Sequence, residues 1–220
     1  MKIGVLIPTR GDRPDFIAQC KRLIHNQTLQ PDHVFFINFP PKGKDKDITY
    51  RYRIGYQKAK DMNVDFLVFW EDDDWYHPTY IEYMYNRWLA NKRPLLFGLE
   101  ETYYYHIGVD KCHYDNHIGR ASAFSTCIGI KSGNLTWPLD NYAFTDLHLW
   151  RAHSSTAIAE KNQTEKPIAI GIKHGIGVTG GAGHNARFRW NTDKGIEWLK
   201  SCIDEDSFNF YQSIKHLCSK

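Results

Sequence analysis

Residues 68–78 read VFWEDDDWYHP, and this stretch decides the fold. The apolar run that ends at Trp70 is typical of a buried strand, and four consecutive carboxylates, residues 71–74, follow it directly. Because adjacent acids repel one another, their grouping at a strand end indicates a binding site for a doubly positive ion. Mg²⁺ and Mn²⁺ prefer oxygen ligands, take one or two carboxylates from a protein and leave room for substrate phosphates. The alternative is an acidic turn that caps the following helix, since Asp is favoured at helix N-termini.

Strands and helices alternate around this stretch through the first half of the chain. Apolar runs and helical spacing predict, in order, strand 3–7, helix 14–26, strand 34–37, helix 48–62, strand 66–70 and helix 78–91. Such alternation with short loops predicts an α/β fold with a parallel sheet flanked by helices. Ligands bind beyond the carboxyl ends of the strands in these sheets. The segments at those ends, residues 8–13, 38–39 and 71–74, are polar or charged, so we expect the site at this edge.

The second half of the chain is less regular. The pattern predicts strands at residues 94–99, 123–130 and 167–172, and helices at residues 143–153, 193–203 and 207–217. It predicts a tyrosine-rich loop at residues 103–106 and a glycine-rich loop at residues 171–183. No internal repeat or linker divides the chain, so we expect one domain over residues 1–220.

Composition excludes several classes of protein. The formal charge of +3, from 28 basic and 25 acidic residues, argues against a general nucleic-acid binder. No stretch approaches the roughly 20 apolar residues of a membrane span, and residues 1–8 are too short for a signal peptide. Five scattered cysteines without a CxxC pair favour a reducing compartment over a zinc or disulfide framework. We therefore expect a cytoplasmic location, with no intrinsic membrane segment, and the chain is compatible with one domain of a longer, multidomain polypeptide.

Four segments together resemble the inverting GT-A glycosyltransferases of the family 2 type, and they occur in the family's order. The first is IPTR at residues 7–10, similar to the family's first strand and nucleotide loop, and the second is YRIG at residues 52–55, similar to its Arg-Asn-x-Gly segment. The third is EDDDWYHP at residues 71–78, similar to the D-x-D-D-x-x-x-P form of the DxD motif. The fourth is FTDLHLWR at residues 144–151, similar to the acceptor-side segment that holds the catalytic acid. The resemblance covers roughly residues 1–190.

This resemblance implies a Rossmann-like GT-A domain with a mixed, mainly parallel sheet. The nucleotide-binding half would span about residues 1–100, the acceptor-side half about residues 101–190, and the C-terminal helices about residues 191–220. The sequence departs from the family at Glu71, where Asp is usual, and at Thr145, where Glu often precedes the catalytic Asp. It also departs at Asn38, where the family has an Asp that reads uracil, although an amide can pair with uracil N3–H and O4.

The resemblance further implies a role for individual residues in a metal-dependent transfer from a UDP-sugar, a hexose or deoxyhexose donor, to a carbohydrate or glycoconjugate acceptor. Asp73 is the main implied ligand for Mn²⁺ or Mg²⁺, assisted by Asp74 or Glu71. His174 is an implied contact to the metal or diphosphate, and His184 is second in line, with Arg187 and Arg189 near the diphosphate. The implied nucleotide contacts are Pro8, Thr9, Arg10, Arg13, Asn38, Arg53, Asp72 and Asp73.

Asp146 is the implied general base, and the alternative is that it only caps the helix that follows. Two other functional classes fit the same carboxylates. One is a metal-dependent nucleotidyltransferase or phosphohydrolase, which needs a water-positioning base close to the metal. The other is a non-catalytic module that binds a nucleotide sugar.

Overall fold

The computed structural model describes residues 1–40, 47–175 and 194–218. The strands are β1 (Ile3–Pro8), β2 (His33–Ile37), β3 (Phe66–Phe69), β4 (Trp75–Tyr76), β5 (Leu96–Leu99), β6 (Glu101–His106), β7 (Lys111–Asn116), β8 (Thr126–Gly129), β9 (Ala157–Glu160) and β10 (Ala169–Lys173). The α-helices are α1 (Pro14–His25), α2 (Ile48–Asp61), α3 (Tyr80–Ala90), α4 (Thr145–Ala152), α5 (Ile196–Cys202) and α6 (Glu205–Ser213). None of the helices within these ranges is long and apolar enough to cross a membrane.

The larger sheet has the strand order β2-β1-β3-β8-β5-β9. β1 pairs in parallel with both β2 and β3, and β5 pairs in parallel with β9. β8 lies antiparallel between β3 and β5. β1 and β3 are buried along their whole length, as strands covered on both faces must be. The predicted fold class, a GT-A, Rossmann-like α/β domain with a mixed, mainly parallel sheet, is confirmed.

A second sheet has the strand order β4-β10-β6-β7. Its first strand, β4, follows the acidic stretch directly, and β10 runs antiparallel to β4 and parallel to β6. The predicted loop at residues 103–106 is wrong, because these residues belong to β6, which forms a hairpin with β7. Tyr103 packs against Tyr114 on β7, with ring centroids 5.0 Å apart. Tyrosine favours strands through such cross-strand contacts, which the local sequence does not display.

The predicted glycine-rich loop at residues 171–183 begins as regular structure. Residues 171–173 are the end of β10, paired with β6. The rest of the predicted loop from residue 176 onward, together with His184, Arg187 and Arg189, lies outside the described residues.

Helix α2 packs closely against β1 at Gly55. A Cβ atom at this position would lie 1.9 Å from Cδ1 of Leu6, whose side chain is completely buried. Since close-packed interiors leave no room for such an atom, only glycine permits this approach. The glycine of the YRIG segment therefore sets the spacing between α2 and the strand that ends beside Thr9.

The C-terminal helices are attached to the first half of the chain through Asp204, the residue that caps α6. Its carboxylate accepts hydrogen bonds from the indole Nε1 of Trp75 at 3.1 Å and from Nη2 of Arg22 on α1 at 2.9 Å. Further along α6, the hydroxyl of Tyr211 donates to the backbone carbonyl of Asp73 at 3.4 Å. Helix α6 and its capping residue therefore contact both β4 and the acidic stretch.

Candidate active site

Residues 71–74 form a turn between β3 and β4, at the carboxyl end of β3. Three of its side chains, Glu71, Asp73 and Asp74, each offer a carboxylate oxygen, and these oxygens all lie within 4.8 Å of one another. The fourth acid, Asp72, is directed towards Thr9 instead. The turn therefore divides its acids between a three-carboxylate cluster, here called the acidic triad, and a link to β1.

The burial and hydrogen bonds of Asp74 indicate whether the acidic triad fits a divalent cation. It is buried, and its Oδ1 accepts a hydrogen bond from the backbone N–H of Ile172 at 2.7 Å. Its Oδ2 is also buried and receives no hydrogen bond from an N–H or hydroxyl group within the described ranges, and the neighbouring group is the Glu71 carboxyl. Burial raises the pKa of Asp74 well above its ordinary value, and Glu71 adds to the shift. A buried carboxylate oxygen without a partner is costly, so the triad fits Mg²⁺ or Mn²⁺, which would bind this oxygen.

Asp73 is held by two basic side chains from distant parts of the chain. Nη1 of Arg13 donates to its Oδ2 at 2.8 Å, and Nε2 of His174 lies 2.9 Å from the same oxygen. Burial would raise the pKa of Asp73, but Arg13 and His174 outweigh burial and hold the pKa well below its ordinary value. Phe16 packs against both partners, 4.7 Å from the His174 ring and 4.9 Å from the Arg13 guanidinium. These contacts favour the ionised form of Asp73, the form in which a carboxylate binds a metal ion.

Asp72 connects the turn to the end of β1. The hydroxyl of Thr9 donates to its Oδ2 at 2.6 Å, and Nη2 of Arg13 donates to its Oδ1 at 2.5 Å. Burial, with the neighbouring Asp73, raises the pKa of Asp72 to about 6. The Arg13 guanidinium thus bridges Asp72 and Asp73, and this planar fork fixes the two carboxylates relative to each other.

Glu71 completes the triad on the side that faces the second half of the chain. Burial raises the pKa of Glu71 to about 7; Asp73 and Asp146 act in the same direction and Lys173 acts against them. Its backbone N–H donates to the Tyr76 hydroxyl at 2.8 Å, which anchors the start of the turn to β4.

The predicted nucleotide contacts at the ends of β1 and β2 lie beside the turn. Pro8 is the buried last residue of β1, and Arg10 is exposed, with its guanidinium 2.8 Å from Asp12. Asn38 follows β2 and is exposed; Gly11, with a φ of +76°, lies against it, and a Cβ there would be 3.3 Å from the Asn38 carbonyl oxygen. These residues and Thr9 form one polar edge, as the predicted sheet requires.

Arg51 is a residue of this edge that the sequence interpretation missed. Only 1% of its surface is exposed, and its Nη1 donates to the carbonyl oxygens of Thr9 and Ile37 at 2.6 and 3.0 Å. Asp47 balances its charge with contacts of 3.0 and 2.7 Å. Arg51 therefore joins the carboxyl ends of β1 and β2. The Asp47–Arg51 spacing of four residues was the available sequence signal.

Arg53, the arginine that the family resemblance selected, lies elsewhere. Its side chain is 41% exposed and donates to both carboxylate oxygens of Asp140, at 2.9 and 2.8 Å. Asp140 belongs to the segment before α4. Within the described residues, Arg53 makes no hydrogen bond to the acidic triad or to the polar edge.

Asp146 lies in the first turn of α4, in the second half of the chain. Its Oδ2 is 3.8 Å from Nη1 of Arg120, and burial raises the pKa of its carboxyl, with the Leu147 amide and Arg120 acting in the opposite direction. Asp146 and Glu71 both act, after burial, to raise the pKa of Tyr104, so both carboxylates lie within electrostatic reach of this side chain. Its position in a first helical turn also suits a capping role, as the alternative interpretation requires.

The sequence interpretation missed two further residues near Tyr104 and Asp146. Lys173 precedes His174 and places its ammonium 5.0 Å from the centre of the Tyr104 ring. Arg120 lies between Asp146 and His117, whose Nδ1 is 2.8 Å from its Nη2. The signal for Lys173 was a single charge at the end of an apolar strand; Arg120 had none, because nothing in its local sequence points to Asp146.

In sequence, the chain matches no protein-family model and no curated protein. In structure, it is similar to S. aureus TarS 1-349 in complex with UDP-GlcNAc, with a TM-score of 0.55 and 9% identity over 98% of this chain and 72% of that one. It is similar to the same protein in complex with UDP, with a TM-score of 0.51 and 11% identity over 80% of this chain and 61% of that one.

A197 from STIV is also similar, with a TM-score of 0.50 and 12% identity over 73% of this chain and 82% of that one. In a further TarS structure the chain spans only 37% of the length. At these identities the likeness establishes a shared fold: a mixed α/β domain of the GT-A type, which TarS adopts with UDP or UDP-GlcNAc bound.

Proposed function

We propose that this protein is a metal-dependent, inverting glycosyltransferase that transfers a hexose or deoxyhexose from a UDP-sugar to a hydroxyl group of a carbohydrate or glycoconjugate. One observation carries the proposal: Glu71, Asp73 and Asp74 bring carboxylate oxygens within 4.8 Å of one another at the carboxyl end of β3. This is the edge at which α/β sheets bind ligands, in a fold that TarS shares with UDP-GlcNAc bound.

The acidic triad would hold Mn²⁺ or Mg²⁺, with Asp73 as the main ligand and His174 beside it. A divalent ion at this point supplies a Lewis acid that neutralises charge on the donor diphosphate. The buried, unpartnered Oδ2 of Asp74 supports this assignment, because an ion gives that oxygen a partner.

The chain's own residues would bind the nucleotide on the β1 and β2 side of the triad. Thr9 and Asn38 flank the base and ribose pocket, and Asp72 faces the ribose. Arg13 has a positioning role, because its two donors hold Asp72 and Asp73 at 2.5 and 2.8 Å. Pro8 and Arg10 continue the same edge, so the pocket extends along the end of β1.

Asp146 would accept the proton of the acceptor hydroxyl. The hydroxyl oxygen forms a bond to the anomeric carbon, while the bond between that carbon and the phosphate oxygen breaks and its electron pair stays on the diphosphate. The products are the glycoside, with inverted configuration, and UDP, with the proton on Asp146. A carboxyl whose pKa burial has raised is a better base than a free one, which supports Asp146 in this role.

A screen of nucleotide sugars with Mn²⁺ tests the proposal directly. We expect slow release of nucleoside diphosphate from one UDP-sugar, and tighter calorimetric binding of UDP than of GDP. Release of monophosphate or pyrophosphate would instead indicate a nucleotidyltransferase or phosphohydrolase. Tight binding without any release, in the presence of varied glycan acceptors, would indicate a non-catalytic module.

A further inference from the structure

The end of β10 and the residue that follows it contact the acidic triad. The backbone N–H of Ile172 donates to Asp74 at 2.7 Å, and Nε2 of His174 lies 2.9 Å from Asp73. Lys173 lies between these two contacts, at the end of the strand and opposite residue 106 of β6. The strand register therefore places a lysine beside the proposed metal site.

Tyr104 fixes the position of this lysine. The Lys173 ammonium lies 5.0 Å from the centre of the Tyr104 ring, a cation–π distance. The ring packs over the bare backbone of Gly171, where a Cβ atom would lie 2.6 Å from Cδ1 of Tyr104. Phe124 meets the same ring edge-on, with centroids 5.7 Å apart. Because this ring is tightly packed, the Lys173 ammonium is held in place beside it, at the end of β10.

The ammonium of Lys173 has donors to spare. It carries three N–H groups, and across the described part of the chain none has a hydrogen-bond or ion-pair partner. A lysine side chain carries a positive charge at neutral pH. A half-buried cation with unused donors fits an anionic ligand.

The position of Lys173 selects which anion it fits, provided that the proposed function holds. The nucleoside contacts, Thr9 and Asn38, lie on the β1 and β2 side of the acidic triad. Lys173 lies on the opposite side, on the strand that pairs with β4. His174 is directed towards Asp73 and Arg13, and successive side chains along a strand alternate in direction, so Lys173 is directed to the other side, where the transferred sugar would lie.

We infer that Lys173 binds the sugar-bearing phosphate of the donor, which becomes the terminal phosphate of the departing nucleoside diphosphate. When the bond from the anomeric carbon breaks, its electron pair remains on this phosphate. Hydrogen bonds from an ammonium to the phosphate strengthen as that charge develops. Lys173 would thus be a second fixed cation on the leaving group, next to the metal ion.

Calorimetry with UDP and UMP in the presence of Mg²⁺ tests this assignment without turnover. UMP retains the base, the ribose and the first phosphate, and lacks only the terminal one. We expect Lys173→Met to weaken UDP binding by about 10-fold or more and UMP binding by less than about 2-fold. Equal loss for the two ligands, or no loss for UDP, would overturn the assignment.

Two variants make the result specific. Lys60→Met is the matched control, since Lys60 also lies over a tyrosine ring, 5.7 Å from Tyr56, and its ammonium donates to Asn134 at 3.2 Å. It should change neither affinity. Lys173→Arg keeps the cation and should retain most of the UDP preference; loss of that preference while the fold is intact also counts against the assignment. If the wild-type protein binds no nucleoside diphosphate, the proposed function itself fails.

Discussion

The acidic turn and the start of α4 carry the two halves of the proposed chemistry, and they are built differently. The turn is enclosed: Asp72 and Asp73 share the Arg13 fork, and Asp74 is buried against β10. Among the described residues, Asp146 has one side-chain ion pair, at 3.8 Å to Arg120, beside backbone amides of its own helix. Exposed apolar side chains precede it, Phe144 at 61% and Leu139 at 79%.

This difference is what a transferase requires of its two substrates. A nucleotide diphosphate and a metal ion are small, highly charged ligands, so they need donors and acceptors held in advance. An acceptor glycan is a large ligand, so the side of the proposed site that would bind it, at the start of α4, can remain open. We therefore expect changes at the turn to affect binding and chemistry together, and changes at α4 to affect chemistry alone.

The largest effect should come from Asp73→Ala. Loss of the proposed main metal ligand should remove Mn²⁺-dependent UDP binding and lower kcat/KM by about 10³-fold or more, because the ion would serve both the donor and the leaving group. Calorimetry and turnover assays over a Mn²⁺ titration measure both. Asp61→Ala, at the exposed end of α2, is the control and should behave like the wild type. Full wild-type activity in excess chelator would remove the metal from the mechanism.

Arg51→Met should have the next effect, on stability. Removal of the guanidinium breaks the ion pair with Asp47 and takes a donor from the buried carbonyl groups of Thr9 and Ile37, so we expect a loss of about 3 kcal/mol in the free energy of unfolding in urea. Arg53→Met, on the exposed face of the same helix, should cost less than about 1 kcal/mol. An equal loss of unfolding free energy for the two arginine variants would contradict the claim that Arg51 stabilises the polar edge by joining the ends of β1 and β2.

Asp146→Asn separates the two halves of the site. We expect kcat to fall by about 10²-fold, or roughly 2.7 kcal/mol in the barrier, while UDP affinity and Tm stay unchanged. The reason is that the carboxylate acts on the acceptor and not on the nucleotide. If Asp146 only caps α4, turnover should barely change, because Asn is also a good cap. A drop in UDP affinity would show that the two sides are not independent.

The smallest effect concerns pH and the helix that buttresses the turn. Burial alone would raise the pKa of Asp204, but hydrogen bonds from Ser207 and Trp75 lower it below its ordinary value. A lowered pKa in the folded state stabilises above about pH 4, and this contribution is lost as the pH falls through the folded value. Asp204→Ala should therefore lower the free energy of unfolding by about 1 kcal/mol at pH 7, and the difference from the wild type should become smaller towards pH 3. Asp206→Ala, at an exposed carboxylate, should show no such narrowing.

Prediction from the sequence succeeded where neighbouring residues carry the information. The three parallel strands, the helices between them and the acids after β3 follow from apolar runs and turn residues that lie side by side in the chain. It failed for the strand β6, whose partner β7 supplies the cross-strand contacts, and for the antiparallel insertion of β8 between β3 and β5. Those features depend on pairing, and pairing leaves little trace within one segment.

The sequence by itself determined the chemistry available at the turn: four carboxylates at a strand end select a hard cation, since oxygen ligands and their charge are local properties. Only the tertiary structure decided how those acids divide their roles. Arg13 is 60 residues from Asp73, and His174 is 101 residues from it, yet both contact the same oxygen. Lys173 and Arg51 likewise gain their surroundings from strands and helices distant in the chain. A side chain's charge is set by its own atoms, whereas its partners are set by the packing of the whole sheet.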